Sequence, residues 1–322
     1  MRWMLLSVVC FSCCSLSALA DQPPVESFPL RSHNPFLQIY GLPAFQTSTV
    51  AAAGEFILDI GFDITNDADE SLSETEQLII DGETSTIAIS LRRRVLDRLE
   101  LGINVPYVSH SGGSLDGFIK DWHDLFGLSN GRREGPDDQL RHSYVSNGTT
   151  LVGLDSSVSG IGDVQLSAAV PFEKLTIRAA VKLPTGDPDK LTGSGAADFS
   201  LGLYGAHIAS FLERDLSLSG FAGVLALGDG EVLPELQRSV VPYGGLALRW
   251  QATAKFGLAT QLSMQGSYFD TDFDDIGGNS FQLGFGADYR TGRFLWRFAI
   301  AEDVAAGAAA DFAMHLSIRS YR

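Results

Sequence analysis

The chain has 322 residues, 45% hydrophobic and 19% charged, with 39 Asp+Glu against 23 Lys+Arg and a formal net charge of −16. That acidic balance disfavours nucleic acid as a partner, because phosphates call for basic surface. All three cysteines (Cys10, Cys13 and Cys14) precede residue 21, so the rest of the chain has neither a disulfide framework nor a cysteine metal site.

The N-terminus reads as an export signal. Arg2 supplies the positive start, Met4 to Phe11 the apolar run, and Ala18-Leu19-Ala20 a small-x-small cleavage site, which predicts a cleaved signal peptide over 1–20. The run is interrupted by Ser and Cys and is shorter than the roughly 20 residues of a spanning helix. Residues 21–53 precede the first strand pattern and are read as an N-terminal periplasmic or lumenal segment.

From residue 54 onward the chain alternates. Phe56, Leu58, Ile60, Phe62 and Ile64 interleave with Ile57, Asp59, Gly61 and Asp63, and Phe281, Leu283, Phe285, Ala287 and Tyr289 with Gln282, Gly284, Gly286 and Asp288. A period of two puts successive side chains on opposite faces of a sheet. Twelve such segments are found, at 54–64, 84–93, 98–108, 161–171, 174–184, 197–209, 215–227, 240–252, 255–268, 280–290, 293–302 and 311–320. Each is near the roughly 9–11 residues that a tilted strand needs to cross a bilayer.

Short links near 96–97, 173, 212–214, 254 and 291–292 alternate with long ones at 65–83, 109–160, 185–196, 228–239, 269–279 and 303–310. With an even strand count, this predicts an all-β antiparallel transmembrane β-barrel of about 12 strands over 54–322, both termini periplasmic, in a Gram-negative outer membrane. The rival fold is a soluble sandwich or a pair of small barrels. Tyr107, Trp250, Tyr268, Tyr289, Phe294 and Trp296, near strand ends, are read as interfacial girdles.

With the apolar face toward lipid, the lumen is lined by Glu55, Asp59, Asp63, Glu100, Asn104, Asp163, Arg178, Lys182, Asp198, Arg249, Asp288, Arg290, Arg297, His315 and Arg319. Buried charge is costly unless paired or hydrated, so these groups either staple a narrow barrel or line a wet solute path. Arg319 and His315 of the last strand can face the acids of the first, since the two are neighbours in a closed barrel.

The connection at 109–160 carries a predicted short helix, Ser114 to Gly127, with an apolar stripe of Leu115, Phe118, Ile119, Trp122, Leu125 and Phe126. It is expected to plug the lumen, cap the mouth or lie on the membrane, with Leu115, Asp116, Ile119, Trp122, His123 and Phe126 as gate or plug residues. His123 with Asp116 or Asp124 and Ser109, Ser111 or Ser114 would make a nucleophilic triad only by geometry. No Gly-x-Ser-x-Gly elbow is present, so no catalytic residue is assigned; no metal site or cofactor is read either.

The run Gly112-Gly113-x-Leu115-Asp116-x-x-Ile119-x-x-Trp122-His123-x-x-Phe126-Gly127-Leu128, followed by Gly131-x-Arg133, resembles a proteobacterial family classed as domain of unknown function 3187. So do Asn34-Pro35, Gly41-Leu42-Pro43, Gly160-Ile161-Gly162-Asp163, Lys182-Leu183-Pro184-Thr185-Gly186-Asp187 and Leu191-Thr192-Gly193-Ser194-Gly195. The last three also resemble, more distantly, barrel proteins of meta-pathway phenol degradation. This implies an outer-membrane barrel and the admission of hydrophobic compounds, and assigns no catalytic residue.

The expected function is a passive channel or uptake protein for a small solute, hydrophobic in one reading. The alternatives are a barrel enzyme acting on lipid or lipopolysaccharide, and a structural or adhesion barrel. The last would use acids clustered in loop one (Asp67, Asp69, Glu70, Glu74, Glu76) and loop five (Asp270, Asp272, Asp274, Asp275). The expected partners are outer-membrane lipid, lipopolysaccharide and a small-molecule solute; oligomeric state is left open.

Overall fold

Inward polar and outward apolar faces recur on strand after strand of the computed structural model, which describes residues 27–31, 33–46, 48–126, 138–173, 175–211, 214–304, 308, 310 and 312–321. Fifteen strands form one sheet: β1 (Phe56–Leu72), β2 (Glu76–Leu96), β3 (Leu99–Ser111), β4 (Arg141–Ser146), β5 (Thr149–Leu154), β6 (Val158–Ile161), β7 (Gln165–Phe172), β8 (Leu175–Lys182), β9 (Asp198–Phe211), β10 (Arg214–Ala226), β11 (Val240–Gln251), β12 (Phe256–Gln265), β13 (Ser280–Thr291), β14 (Phe294–Asp303) and β15 (Phe312–Tyr321). Twelve of them, β1–β3 and β7–β15, make a closed antiparallel barrel, with β15 paired to β1 from Ile57↔Tyr321 to Asn66↔Phe312. Closure removes the exposed edges that an open sheet would present.

The faces divide as the alternation requires. Ile60, Phe62, Leu248, Phe285, Phe298 and Leu316 are exposed, while Asp63, Arg249, Gln282, Asp288, Arg297 and His315 are buried. In water such an apolar outer face would need a covering layer, and in lipid it needs none. Tyr107, Trp250, Tyr289 and Trp296 are exposed on that outer surface.

Several expected details are corrected. The link read as a long loop at 65–83 is mostly strand: β1 runs 17 residues and β2 runs 21, leaving a turn of 73–75 between them. Two contacts sustain the extension. The β4–β5 hairpin pairs with β2 from Glu76↔Ser146 to Asp81↔Arg141, and Leu78 and Ile80 bury into an apolar cluster. The loop-one acids therefore sit largely on strands, where Glu76 accepts from Tyr144 and Glu70 from Gln77. The 109–160 connection holds a hairpin as well as a helix, and β6 extends the wall beside β3. Tyr268 lies beyond β12 and is fully buried, stacked 5.2 Å from Tyr40, so it is no girdle residue. Glu55 precedes β1 and is exposed, off the strand wall.

Helix α1 (Asp116–Phe126) sits at the long-loop rim. Its first turn is held by another element: Glu83 of β2 accepts from the backbone N–H groups of Ser114, at 2.5 Å, and Leu115. A carboxylate there satisfies helix donors that have no partner within the helix. Gly113 is required at this junction, because its φ is +81° and a Cβ would fall 1.9 Å from the Glu83 side chain.

The outward face carries a direct test. Phe285→Arg, in the middle of β13, is expected to lower stability by about 2–4 kcal/mol in lipid, measured by reversible urea unfolding in vesicles. Thr253→Arg, in the β11–β12 turn, is expected to change it little.

Candidate functional site

The inward face of the barrel wall carries buried polar and charged side chains, and the described residues of 27–51 are folded against it. This segment runs as a hairpin from the short-turn end of the barrel to the long-loop end and back. On the way up, the Ser27 carbonyl accepts from Arg297 of β14 (3.4 Å), and the His33 carbonyl from Thr65 of β1 (3.3 Å). At the top the chain reverses on Asn34-Pro35. The Asn34 side chain accepts from Phe36 N (3.0 Å), its carbonyl accepts from Leu37 N and Gln38 N (2.9 Å each), and its amide donates to the Asp275 carbonyl (3.2 Å). On the way down, Phe45 packs edge-on against Phe221 at 4.4 Å. Below it the Thr49 carbonyl accepts from Arg178 (2.7 Å), and Ala51 N donates to Glu100 (2.6 Å).

The apex is anchored by one buried ammonium. Lys182, at the end of β8, lies 2.7 Å from Asp163 and 3.0 Å from Asp198, and donates to the Ile39 carbonyl at 2.9 Å and to Ser194. Asp198 also accepts from Gly41 N at 2.8 Å, so the pair grips two successive parts of the reversal. Asp163 is held in turn by Gly186 N (2.8 Å) and Ser194 N (3.1 Å). Gly193 fits here because a Cβ would lie 2.4 Å from the Asp163 carboxylate. The three Gly- and Asp-rich motifs of the sequence thus converge on Lys182.

Around this node Phe36, Leu37, Ile39, Tyr40 and Leu42 pack with Leu78, Tyr144, Leu154, Leu225, Val241, Phe269 and Phe273 into an apolar seal across the long-loop end. Below the seal the remaining charges pair. Asp59 receives Arg297 and Arg319, each at 2.5 Å. Glu100 lies between Arg178 (2.9 Å) and Arg92 (3.3 Å), and Arg249 grips Asp288 with two bonds of 2.7 Å. Arg290 stacks over Tyr321.

His315 is within hydrogen-bond distance of Asp63 through Nδ1 (2.7 Å) and of Ser317 Oγ through Nε2 (2.9 Å). These are the spacings of a Ser–His–Asp relay, but Ser317 is only 2% exposed and its Oγ accepts from Arg297 Nε at 2.9 Å. A nucleophile must reach its substrate, and this hydroxyl is enclosed. The relay serves to hold β15 to β1.

Of the expected gate residues, Asp116 is buried at the rim, accepting from Asn66 Nδ2 (2.9 Å) and Asp138 N (2.8 Å), and Ile119 is fully buried. Leu115 is half-buried, and the side chains of Trp122, His123 and Phe126 lie outside the described residues. The sequence reading did not single out His33, Ile39, Tyr40 or Phe45. For Ile39 and Tyr40 the available signal was an apolar run, Phe36 to Tyr40, between the turn-forming Asn34-Pro35 and Gly41; His33 and Phe45 lie outside it.

A family model described as "Protein of unknown function (DUF3187)" matches residues 3–322. The chain belongs to this family. No curated protein matches the sequence. Among solved structures, the COG4313 outer membrane channel from Pseudomonas putida F1 is similar, with TM-score 0.53 and 14% identity, covering 84% of this chain and 96% of that one. The likeness is one of fold, and the fold is that of outer-membrane barrels. The monoaromatic hydrocarbon channel CymD (TM-score 0.40, 11% identity, 84% and 89% covered) and the Pseudomonas putida toluene transporter TodX (0.36, 11%, 92% and 98%) also match.

Within this DUF3187 protein, the family-like motifs at 34–35, 41–43, 160–163, 182–187 and 191–195 are the segment's apex and its grip. Lys182→Met would leave two buried carboxylates without their cation. It is expected to cost about 3–5 kcal/mol, read from urea unfolding, and Lys182→Met combined with Asp198→Asn is expected to recover part of that loss.

Proposed function

We propose that the protein is a channel of the Gram-negative outer membrane for a small solute, and that residues 27–51 close and open its lumen. The observation that carries this reading is how the segment is held. Among the described residues it pairs with no strand, and side-chain contacts to Lys182, Asp198, Arg178, Glu100 and Arg297 fix it instead. Withdrawing it breaks its hydrogen bonds to the wall and opens the apolar seal, and leaves every barrel ladder intact. A covalently or ladder-bound plug would be part of the wall.

In this reading the signal peptide of 1–20 is cleaved on export, and the short-turn end faces the periplasm. The apolar outer face meets membrane lipid and the long loops meet lipopolysaccharide. Leu115, Asp116, Ile119, Trp122, His123 and Phe126 seat or form the α1 cap at the rim, as a second gate above the seal. The apolar seal favours a solute with a hydrophobic part, and the paired charges below it favour one that tolerates water. Transport needs no catalytic residue or cofactor.

Planar-bilayer recordings test the proposal. The intact protein is expected to be closed or to open briefly, a variant lacking 27–50 to conduct steadily, and Lys182→Met to open more often. A variant lacking 114–127 separates the two gates, since it is expected to conduct far less than the first. If deletion of 27–50 yields a folded barrel that neither conducts nor passes solute, the channel reading is lost.

A further inference from the structure

The segment does not fill the lumen evenly. Its descending limb packs on the aromatic side, where Phe45, Phe221 and Tyr204 are in contact. Opposite, β1, β2, β3, β7 and β8 present small inward residues such as Gly61, Ala88, Ser90 and Ala180 and leave a cavity of about 120 Å³. At roughly 10–15 Å³ per water site, that space holds a solute of about ten non-hydrogen atoms.

The charges around this chamber are unbalanced. The carboxylates Asp59, Asp63 and Glu100 stand among five arginines. Arg297 and Arg319 share Asp59, Arg92 and Arg178 share Glu100, and Asp63 is engaged by His315 at 2.7 Å and His33 at 3.6 Å. Arg31 also lines the cavity; it is attracted by the Asp63 carboxylate at longer range, yet makes no hydrogen bond or close ion pair with any described residue. A guanidinium presents paired donors matched to a carboxylate, and away from bulk water it has strong reason to find one. The wall beside it is mixed: Pro29, Pro43 and Ala88 are apolar, while Asn104 and Gln165 are amides.

We propose that this chamber is a binding site for an amphiphilic organic monocarboxylate, whose carboxylate is received by Arg31 and whose apolar body lies against Pro29, Pro43 and Ala88. The site rests on the channel reading only for how the ligand arrives. A neutral molecule of the same shape would leave Arg31 unmatched, so the chamber selects for the anion.

Benzoate, of suitable size, and its neutral isostere benzamide are the probes, titrated calorimetrically into the full-length protein in detergent. Benzoate is expected to bind saturably and benzamide at least roughly tenfold more weakly, because a charge-assisted pair is lost. Arg31→Gln is expected to weaken benzoate by a similar factor and Arg31→Lys to retain part of the affinity. Ala88→Leu, which fills the chamber from the wall without touching Arg31, is expected to abolish binding while circular dichroism reports an unchanged barrel. Absence of saturable benzoate binding, equal binding of benzamide, or unaltered affinity in both Arg31→Gln and Ala88→Leu would overturn the site. Benzoate binding by the full-length protein, with no flux through the variant lacking 27–50, would leave the site standing and remove the channel; flux through that variant without binding by the full-length protein would do the reverse.

Discussion

Closed-barrel geometry forces a choice on every inward charge, and the buried Lys182 is where that choice organises the molecule. An ammonium at 1% side-chain exposure is tolerable only with carboxylates and acceptors around it. Asp163 and Asp198 supply the charge, Ser194 an oxygen, and the Ile39 carbonyl the remaining acceptor. That acceptor belongs to the N-terminal segment. The ammonium's coordination is therefore complete only while the segment is seated, which couples the lumen's electrostatics to its occlusion.

The same logic extends down the barrel. Arg178 spends one donor on Glu100 and another on the Thr49 carbonyl, and Arg297 divides its donors among Asp59, Ser317 and the Ser27 carbonyl. Wall charges pair first with each other and then reach inward to the segment. The network grips the segment, and several of its members, Asp59, Asp63, Arg92, His315 and Arg319, also line the cavity left beside the small inward residues.

Much of this was legible in the sequence because a period of two assigns faces without knowledge of partners. Asp59, Asp63, Lys182, Arg249, Asp288, Arg297 and His315 could be placed inside from parity alone, and closure puts His315 and Arg319 beside the first strand's acids. The helix at 116–126 was equally readable, from Ile119 and its apolar neighbours at helical spacing. The extension of β1 and β2 was not, because beyond the lipid both faces of a hairpin can be covered. Acids such as Asp67 and Glu83, buried at the rim, then mimic a solvated loop. The segment at 27–51, read only as periplasmic or lumenal, could not be placed for a different reason. Phe36, Leu37, Ile39, Tyr40 and Leu42 follow neither a helical nor a strand period, since their burial comes from a turn pressed into loops distant in sequence. Asn34-Pro35 and Gly41 marked a reversal but not its location.

The central claim is that residues 27–51 occupy the lumen of the resting protein. Hydrogen–deuterium exchange of the full-length protein in lipid nanodiscs tests it most directly. The amides of Phe36, Gly41 and Ala51, bonded to Asn34, Asp198 and Glu100, are predicted to exchange on the slow timescale of neighbouring strand amides. Exchange of all three at the rate of a free chain, with the barrel strands still protected, would contradict the account.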